Sequence, residues 1–554
     1  MKRHLLPLAL AAAALTASVS VADATAAGKE AHSSSTPRYG GSVTFATSAE
    51  PICLDPSYEG DDSQDIISRQ FLDSLVSVNK NGSYAPWLAS SWTISKNGLT
   101  YAFKLKTDVK FTDGTPFNAA AVKANVAHWI NPKTESGNIG PALSDLKSVT
   151  TPSAYTVVFN LKTANSWLLM DLANPAAGIQ SAVSLKRPQT QICQDPIGTG
   201  PFIVDKWTHG EQVTFSRNDN YNSSPPQASH TGKAYLSTLI WKFIPDGQTR
   251  YGAFTSGAAA IINGIPPESF KGAESDSSYD VFNAQVPGVP QQLDLNTTKA
   301  PFNNIDVRKA FLYSADIPAA LKSAFFGAYT APSGVLSPTT PFYDAAYAKT
   351  YSYNIAKAKQ LLEAAGYTKV NSSGYRTKNG QELTIVLPVS GISQTGVGTE
   401  TEALYEQLQA TAKQAGFNLV IKTVDATTSS NDESDYNYNL YIDYWTVNTP
   451  VALSYVYNSI GIKASAPGAY HNDVSGIDDP VIDKLEQEGL DTTNVANQTQ
   501  IYDQLQKQIT SDAVSLQLYV YPLQIAENTS KARGFRFDWA EPVPTLYDTW
   551  VPAS

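Results

Sequence analysis

The sequence predicts an α/β fold, and three observations carry that prediction. LTIVLPV (383–389) has the unbroken apolar character of a buried strand; the long helical run ETEALYEQLQATAKQ follows, and the strand FNLVIKTV begins after Gly416. Strand, helix and strand in that succession make a βαβ unit. Nearer the C-terminus the helical pattern NQTQIYDQLQKQITSDA leads directly into the strand SLQLYVYP. The first half alternates strand and helix signals as well.

In chain order, SVTFAT after Gly41 alternates as a strand, and DIISRQFLDSLV (65–76) places Ile66, Ile67, Phe71, Leu75 and Val76 on one helical face. NGLTYAFKLKTDVKFTDGTPF (97–117) reads as strand, turn and strand, with Asp113-Gly114 at the turn. AAAVKANVAHWI is a helix stopped by Pro132, and YTVVFNLK from Tyr155 is a strand. Asn354 caps the helix IAKAKQLLEAA, which Gly366 closes. No repeat of 20–50 residues is visible, which disfavours a solenoid.

At 554 residues the chain has room for three to four domains of ordinary size, or fewer large ones. Its 42% apolar and 16% charged residues suit a protein with a real core. A formal charge of −10 speaks against a nucleic-acid partner, which needs a basic footprint. The 29 Tyr and 9 Trp provide for stacking surfaces.

The N-terminus reads as an export address: Lys2 and Arg3 precede an apolar run from Leu5 to Val21, and Ala22-Asp23-Ala24 or Ala24-Thr25-Ala26 fits a cleavage site. Residues 1–24 are therefore expected to be a signal peptide and 25–37 a disordered linker. No Cys lies at the cleavage zone to carry a lipid, so the mature protein is expected in the periplasm or outside the cell. After this segment no apolar stretch is long enough to span a bilayer. Cys53 and Cys193 are the two cysteines; an even count in an exported chain invites a disulfide, the alternative being two separate buried thiols. Six dispersed His and no CxxC argue against a metal, and no cofactor is expected. HExxH, GxSxG and a phosphate loop are all missing. A glycosidase needs only two placed carboxylates, and 50 acids leave that rival open.

Eight segments, in order, are similar to one known family: CLDP (53–56), PWLASSW (86–92), NGLTYAFKLKTDVKFTDGTPF (97–117), PIGTGPF (196–202), RNDNY (217–221), FIPDGQTR (243–250), LNTTKAPFNNIDVRKAF (295–311) and YNIAKAKQLLEAAGY (353–367). The chain resembles the peptide/nickel class, family 5, of extracellular solute-binding proteins, the capture subunits of ABC importers. Most of these segments also have a structural reading. GTGPF offers two glycines for close backbone approach; Asp306 reads as an N-cap and Arg308 as a solvated or ion-paired side chain.

The resemblance implies a two-lobed periplasmic-binding-protein fold of type II with an extra inserted α+β domain. Lobe I would comprise 38–76, 195–290 and 515–554, the inserted domain 77–194 and lobe II 291–514. A Cys53–Cys193 bridge would then staple the inserted domain where the chain leaves and re-enters lobe I. It also implies binding without catalysis: a monomer whose lobes close over a peptide or other small-molecule cargo, then dock on a membrane permease. Oligosaccharide is the second cargo class, and a chaperone or receptor on the same scaffold is a third use.

In the family a segment like G-W-x-x-D-Y holds the ligand, its Asp pairing with a peptide's α-amine. Here the stretch is Tyr444-Trp445-Thr446-Val447-Asn448-Thr449-Pro450, so Trp445 matches and Asn448 replaces the acid. Asp443 stands five positions earlier as a candidate substitute for the lost charge. Dipeptide binders also carry an Arg after a strand like LPVSG (387–391); here that position is Gly391, which disfavours dipeptides held at both termini. On lobe I, Gly60, Asp61 and Asp62 are expected to border the cleft, where the acids could receive a cationic cargo or simply start a helix. Tyr436, Tyr438, Tyr441, Tyr444 and Trp445 suggest a stacking platform, about half of it turned to the core by strand alternation. His471 beside Asp473 is the one candidate for a metal ligand, with a surface loop as the plainer reading.

Overall fold

The computed structural model describes residues 36–137, 139–331, 334–390, 399–462 and 472–553. The signal peptide and all but the last two residues of the expected linker, together with Gly391 and His471, lie outside the described residues.

One lobe is built on a seven-stranded sheet. Its order is Tyr279–Gln285, Pro522–Asn528, Ile261–Asn263, Ser42–Thr47, Thr238–Phe243, Gln212–Arg217, Phe202–Thr208. Ser42–Thr47, the predicted first strand, runs parallel to both neighbours, and its Phe45 stacks on Trp241 at 4.1 Å between ring centroids. A four-stranded antiparallel sheet orders Ala89–Ile94, Thr100–Leu105, Thr156–Leu161 and Leu146–Ser153. The helix Ala119–Trp129 packs on it over Tyr101, Phe103, Val157 and Phe159, all completely buried. The other lobe holds a three-stranded antiparallel sheet, Leu440–Trp445, Val289–Leu295 and Ser515–Tyr519. Beside it Thr384–Ser390 and Asn418–Val424 pair in parallel, with the helix Thr399–Ala415 as their crossover. The predicted βαβ unit is present, its helix followed by Gly416 at φ +110°.

The chain passes between the large sheet and the three-stranded sheet twice. Strand Tyr279–Gln285 runs through Val286, Pro287 and Gly288 into Val289–Leu295; Ser515–Tyr519 runs through Val520 and Tyr521 into Pro522–Asn528. The two crossings lie side by side, since the Val286 amide donates to the Tyr521 carbonyl at 3.1 Å. Two adjacent antiparallel strands thus join the lobes, a geometry that concentrates any change of φ and ψ in a few residues.

Several local expectations need correction. The helix expected over 65–76 spans Asp62–Ser68: Asp61 caps it and the Gln64 side chain returns to the Asp61 amide at 2.9 Å. Beyond it the backbone is claimed by GTGPF, where the Gly200 amide donates to the Phe71 carbonyl at 3.0 Å. A Cβ on Gly198 or Gly200 would stand 2.0 or 2.4 Å from the Phe71 backbone, so only glycine permits that approach. The second strand of the DGTPF hairpin reduces to a single bridge, Lys110 to Pro116. Asn304, not Asp306, caps the helix Ile305–Ser314, accepting from the Asp306 amide at 2.8 Å. Arg308 is neither solvated nor ion-paired; it is buried and donates to the carbonyls of Phe302 at 2.7 Å and Asp512 at 3.0 Å. Asp473 is no surface residue: it is fully buried, accepting from Ser475 Oγ at 2.7 Å and the Gly476 amide at 2.9 Å.

Cys53 and Cys193 are bonded, with 4.4 Å between their Cα atoms. Beside the bridge Asp55, fully buried, lies 2.7 Å from His128 Nε2 and accepts from the side chains of Gln180 at 2.8 Å and Gln189 at 3.1 Å. Burial alone would raise the Asp55 carboxyl; His128, Ser57 and Gln189 together outweigh it and hold the group below its ordinary value. No helix among the described residues is long and apolar enough to cross a membrane.

Candidate ligand-binding site

The edge strand Leu440–Trp445 pairs with Val289–Leu295 in the register Gln292 to Asp443 and Asp294 to Tyr441. Tyr438 just before it is buried, while Tyr441, Asp443, Tyr444, Trp445 and Thr446 are half-buried. Tyr441 donates to Glu433 at 2.6 Å, which commits that ring to the lobe's own structure. Asp443 hydrogen-bonds to the buried Asp294, and burial pushes its carboxyl up to about 8. Gln292 Nε2 donates to Asp294 Oδ1 at 3.0 Å, closing the polar group from behind.

The loop after this strand is held by Gly288. A Cβ there, at φ +105°, would meet the Trp445 carbonyl oxygen at 1.9 Å and the Val447 amide at 2.7 Å. Gly288 is fixed in turn by Thr340 Oγ1, which accepts from its amide at 2.8 Å, and by the Ser337 amide, which donates to its carbonyl at 2.8 Å. Trp445 rests against Tyr455 at 5.4 Å between centroids, and the Tyr455 hydroxyl is raised by burial and then by Asp171 of the four-stranded domain. Asn448 is 6% exposed and its Nδ2 has no hydrogen-bond partner among the described residues.

Opposite stands the segment that opens the helix Asp62–Ser68. Gly60, at φ +102°, lets the chain turn into the Asp61 cap. The Asp62 side chain is open to solvent, yet burial and then Asp61 push it up to about 6. A group that is both wet and enclosed by protein lines a concave wall. Tyr521 at the second hinge crossing shows the same combination, 43% exposed with its hydroxyl raised by burial and by Asp62. Behind this wall Glu541 is pushed up to about 8 by burial and Asp62, and it accepts from Asn174 Nδ2 at 3.0 Å.

Tyr444 of one lobe lies within electrostatic reach of Asp62 of the other: burial raises its hydroxyl first, and Asp62 then adds to it, ahead of Tyr521, Asp443 and Asp61. Trp445 and Asn448 belong to the adjoining loop, with Tyr455 and Asp171 beside Trp445. Tyr521, Tyr455, Asp171 and Glu541 were not legible in the sequence, because only the hinge and the inserted domain bring them to this place. No group of three or more His, Cys, Asp or Glu among the described residues could hold a metal ion.

Two lobes joined by a pair of hinge strands, with polar and aromatic walls meeting beside the hinge, define a solute-binding protein. The chain belongs to the bacterial extracellular solute-binding proteins, family 5, whose middle-region model matches residues 83–465. A glutathione-binding protein of Escherichia coli strain K12 is 27% identical over 500 residues, covering 89% of this chain and 91% of that one. The oligopeptide-binding protein AppA of Bacillus subtilis, solved with a nonapeptide, shares the fold at a TM-score of 0.76 and 22% identity, covering 94% of this chain and 100% of its own. NikA of Brucella suis, solved with Fe(III)-EDTA, aligns at a TM-score of 0.79 and 23% identity, covering 93% of this chain and 100% of its own. The protein is a binding protein and not an enzyme.

Proposed function

We propose that this protein is the exported, monomeric capture subunit of an ABC importer, taking peptides into the cleft by closure of its lobes and delivering them to the permease. The observation that carries the reading is the pair of adjacent strands joining the two lobes at Val286 and Tyr521, with Tyr444 of one lobe and Asp62 of the other both within electrostatic reach of Tyr521. A cargo between those walls touches both lobes only when they are closed, which is the differential affinity that drives closure. We divide the chain into lobe I (38–76, 195–290, 515–554), inserted domain (77–194) and lobe II (291–514), and two of the sheets support that division. The seven strands of the large sheet fall in the first set and the four-stranded sheet in the second; in the three-stranded sheet, Val289–Leu295 begins two residues before the third set and Ser515–Tyr519 lies outside it, so the second boundary of lobe II belongs after Tyr519.

Trp445 is the stacking surface, Tyr444 and Thr446 its neighbours on the wall, and Asn448 offers a buried amide donor to a carbonyl. Gly60, Asp61 and Asp62 form the opposing rim. Asp443 shares a hydrogen bond with Asp294, whose carboxyl that bond raises, so Asp443 is already engaged inside its own lobe and is not a free cation receptor; negative charge for a peptide's ammonium comes from Asp61 and Asp62. Peptide cargo is supported by relatives described as binding glutathione and a nonapeptide. A neutral oligosaccharide is the second reading, favoured by the Trp445–Tyr455 ring pair and the amide at 448.

The test is calorimetry on protein stripped of cargo by guanidinium and refolded, titrated with defined di- to nonapeptides, glutathione and neutral oligosaccharides. Peptide binding without turnover is expected. Tight binding of oligosaccharide alone installs the second reading, and hydrolysis of any ligand refutes both.

A further inference from the structure

Trp167 precedes the short helix Leu168–Asp171 of the four-stranded domain and is 7% exposed, in a core that runs on from that domain into the other lobe. Part of what covers it belongs to the other lobe. Its ring meets Phe342 edge-on at 5.9 Å and Tyr502 at 6.4 Å, and its Nε1 donates to the Tyr502 hydroxyl at 3.1 Å. The adjacent Ser166 is bonded across the same boundary: its amide donates to the Leu490 carbonyl at 3.4 Å and its Oγ accepts from Gln498 at 3.0 Å.

Both sides are built in advance. Asn165 Oδ1 accepts from the Trp167 amide at 2.9 Å, and the Asn165 carbonyl accepts from Tyr101 at 2.7 Å, so the indole projects from a fixed turn. On the receiving side Phe342 stacks on Tyr502 at 5.4 Å and its carbonyl accepts from Gln506 at 2.8 Å. Gly489 leaves room for the phenol, since a Cβ there would lie 2.7 Å from the Tyr502 hydroxyl. The socket is also tied to the hinge. The segment 337–342 ends in Phe342, and its Ser337 and Thr340 hold Gly288, the residue beneath the Trp445–Val447 loop.

We propose that Trp167 and its Phe342–Tyr502 socket form a latch that holds the lobes together without cargo, and that the segment 337–342 couples the latch to the cargo loop. The proposal rests on the two-lobe closure reading. A protein that is partly closed before cargo arrives binds it more tightly, because apparent affinity scales with the fraction of molecules in the competent state.

The experiment is a double electron–electron resonance distance measurement on cargo-free full-length protein, spin-labelled through K147C on the four-stranded domain and K484C on the other lobe. Trp167→Ala should shift the distance distribution to longer values, with Trp167→Phe and Tyr502→Phe intermediate, since each Phe variant removes one partner of the Nε1–hydroxyl bond. Unchanged distributions in the Phe variants and in a folded Trp167→Ala overturn the latch; if Trp167→Ala does not fold, unchanged Phe variants suffice. The readout uses no cargo, so the two readings fail separately. A lengthened distance in a protein that binds no peptide keeps the latch and removes the cargo reading, and peptide binding with no lengthening does the reverse.

Discussion

Asp443 and Asp294, on adjacent strands of the smaller sheet, share a hydrogen bond between their carboxyl groups, so one of them carries a proton at neutral pH. Burial dominates both raised values, because two carboxylates this close in a poorly solvated place cannot both ionise. The pair is one of several buried acids in the same condition. Glu486, Glu527 and Glu541 are pushed up to about 8, and Asp171 and Asp473 to about 7, each chiefly by burial.

These groups give stability a definite slope. A carboxyl raised in the folded state binds a proton that the unfolded chain, with values near 4, has already released. Its contribution is therefore complete below about pH 4 and is lost as pH climbs toward the folded values of about 7 to 8. Thermal unfolding at pH 5 and pH 8 should show the higher midpoint at pH 5, and Asp443→Asn should flatten the difference. An equal or higher midpoint at pH 8 refutes the account.

Gly288 makes a second prediction. Its Cβ position is occupied by the Trp445 carbonyl, backbone that cannot swing aside, and its φ of +105° disfavours any other residue. Gly288→Ala should displace the Trp445–Asn448 loop and weaken cargo binding at least tenfold, about 1.4 kcal/mol or more. Hydrogen exchange should rise at 445–449 and 337–340, while the parallel pair at 384–390 and 418–424 stays protected. Wild-type affinity in the variant would show that the loop does not touch cargo.

The fold was readable where short-range pattern and final structure agree. Asn354 caps its helix, Gly416 follows the helix Thr399–Ala415, and the strand at Ser42–Thr47 forms where expected, alternating over its first four residues and buried on both faces beyond them. The failures have one cause, tertiary contact overriding local pattern. Residues 69–76 keep an amphipathic helical spacing, but the Phe71 carbonyl is claimed by Gly200. Arg308 looks like a surface cation, but it satisfies the carbonyls of Phe302 and Asp512 inside the lobe. Half of the candidate site followed from the motif around Trp445. Tyr521 and Asp171 carry no local signal, since the hinge and the inserted domain alone give them a place near the cleft.

Position 448 allows a test by gain as well as by loss. Trp445→Ala should lower peptide affinity tenfold or more and, because the ring also packs on Tyr455, cost a few degrees of melting temperature. Asn448→Asp puts a carboxylate where the family has one, and it should favour peptides with a free N-terminus over N-acetylated ones. Equal affinities for the free and acetylated forms in the variant would place the ammonium elsewhere, with Asp61 and Asp62 the next residues to substitute.

The disulfide and the Asp55–His128 contact fasten the same junction, so their effects should not add. Titration of denatured, unreduced protein should find no free thiol, as both cysteines are paired. The bridge closes a loop with a sequence separation of 140, for which chain entropy gives roughly 5 kcal/mol as an upper figure. His128→Leu leaves the fully buried Asp55 without its ring partner, a change that costs about 3–5 kcal/mol at comparable sites. Gln189 links the two, with Nε2 at 3.1 Å from Asp55 Oδ2 and 3.7 Å from Cys193 Sγ. Groups that share a partner couple, so reduction combined with His128→Leu should destabilise by clearly less than the two separate losses. Hydrogen exchange in each single variant should open the same residues, near 53–57, 128–134 and 189–194. Strict additivity, or exchange confined to different segments, would mean that the staple and the buried pair act independently.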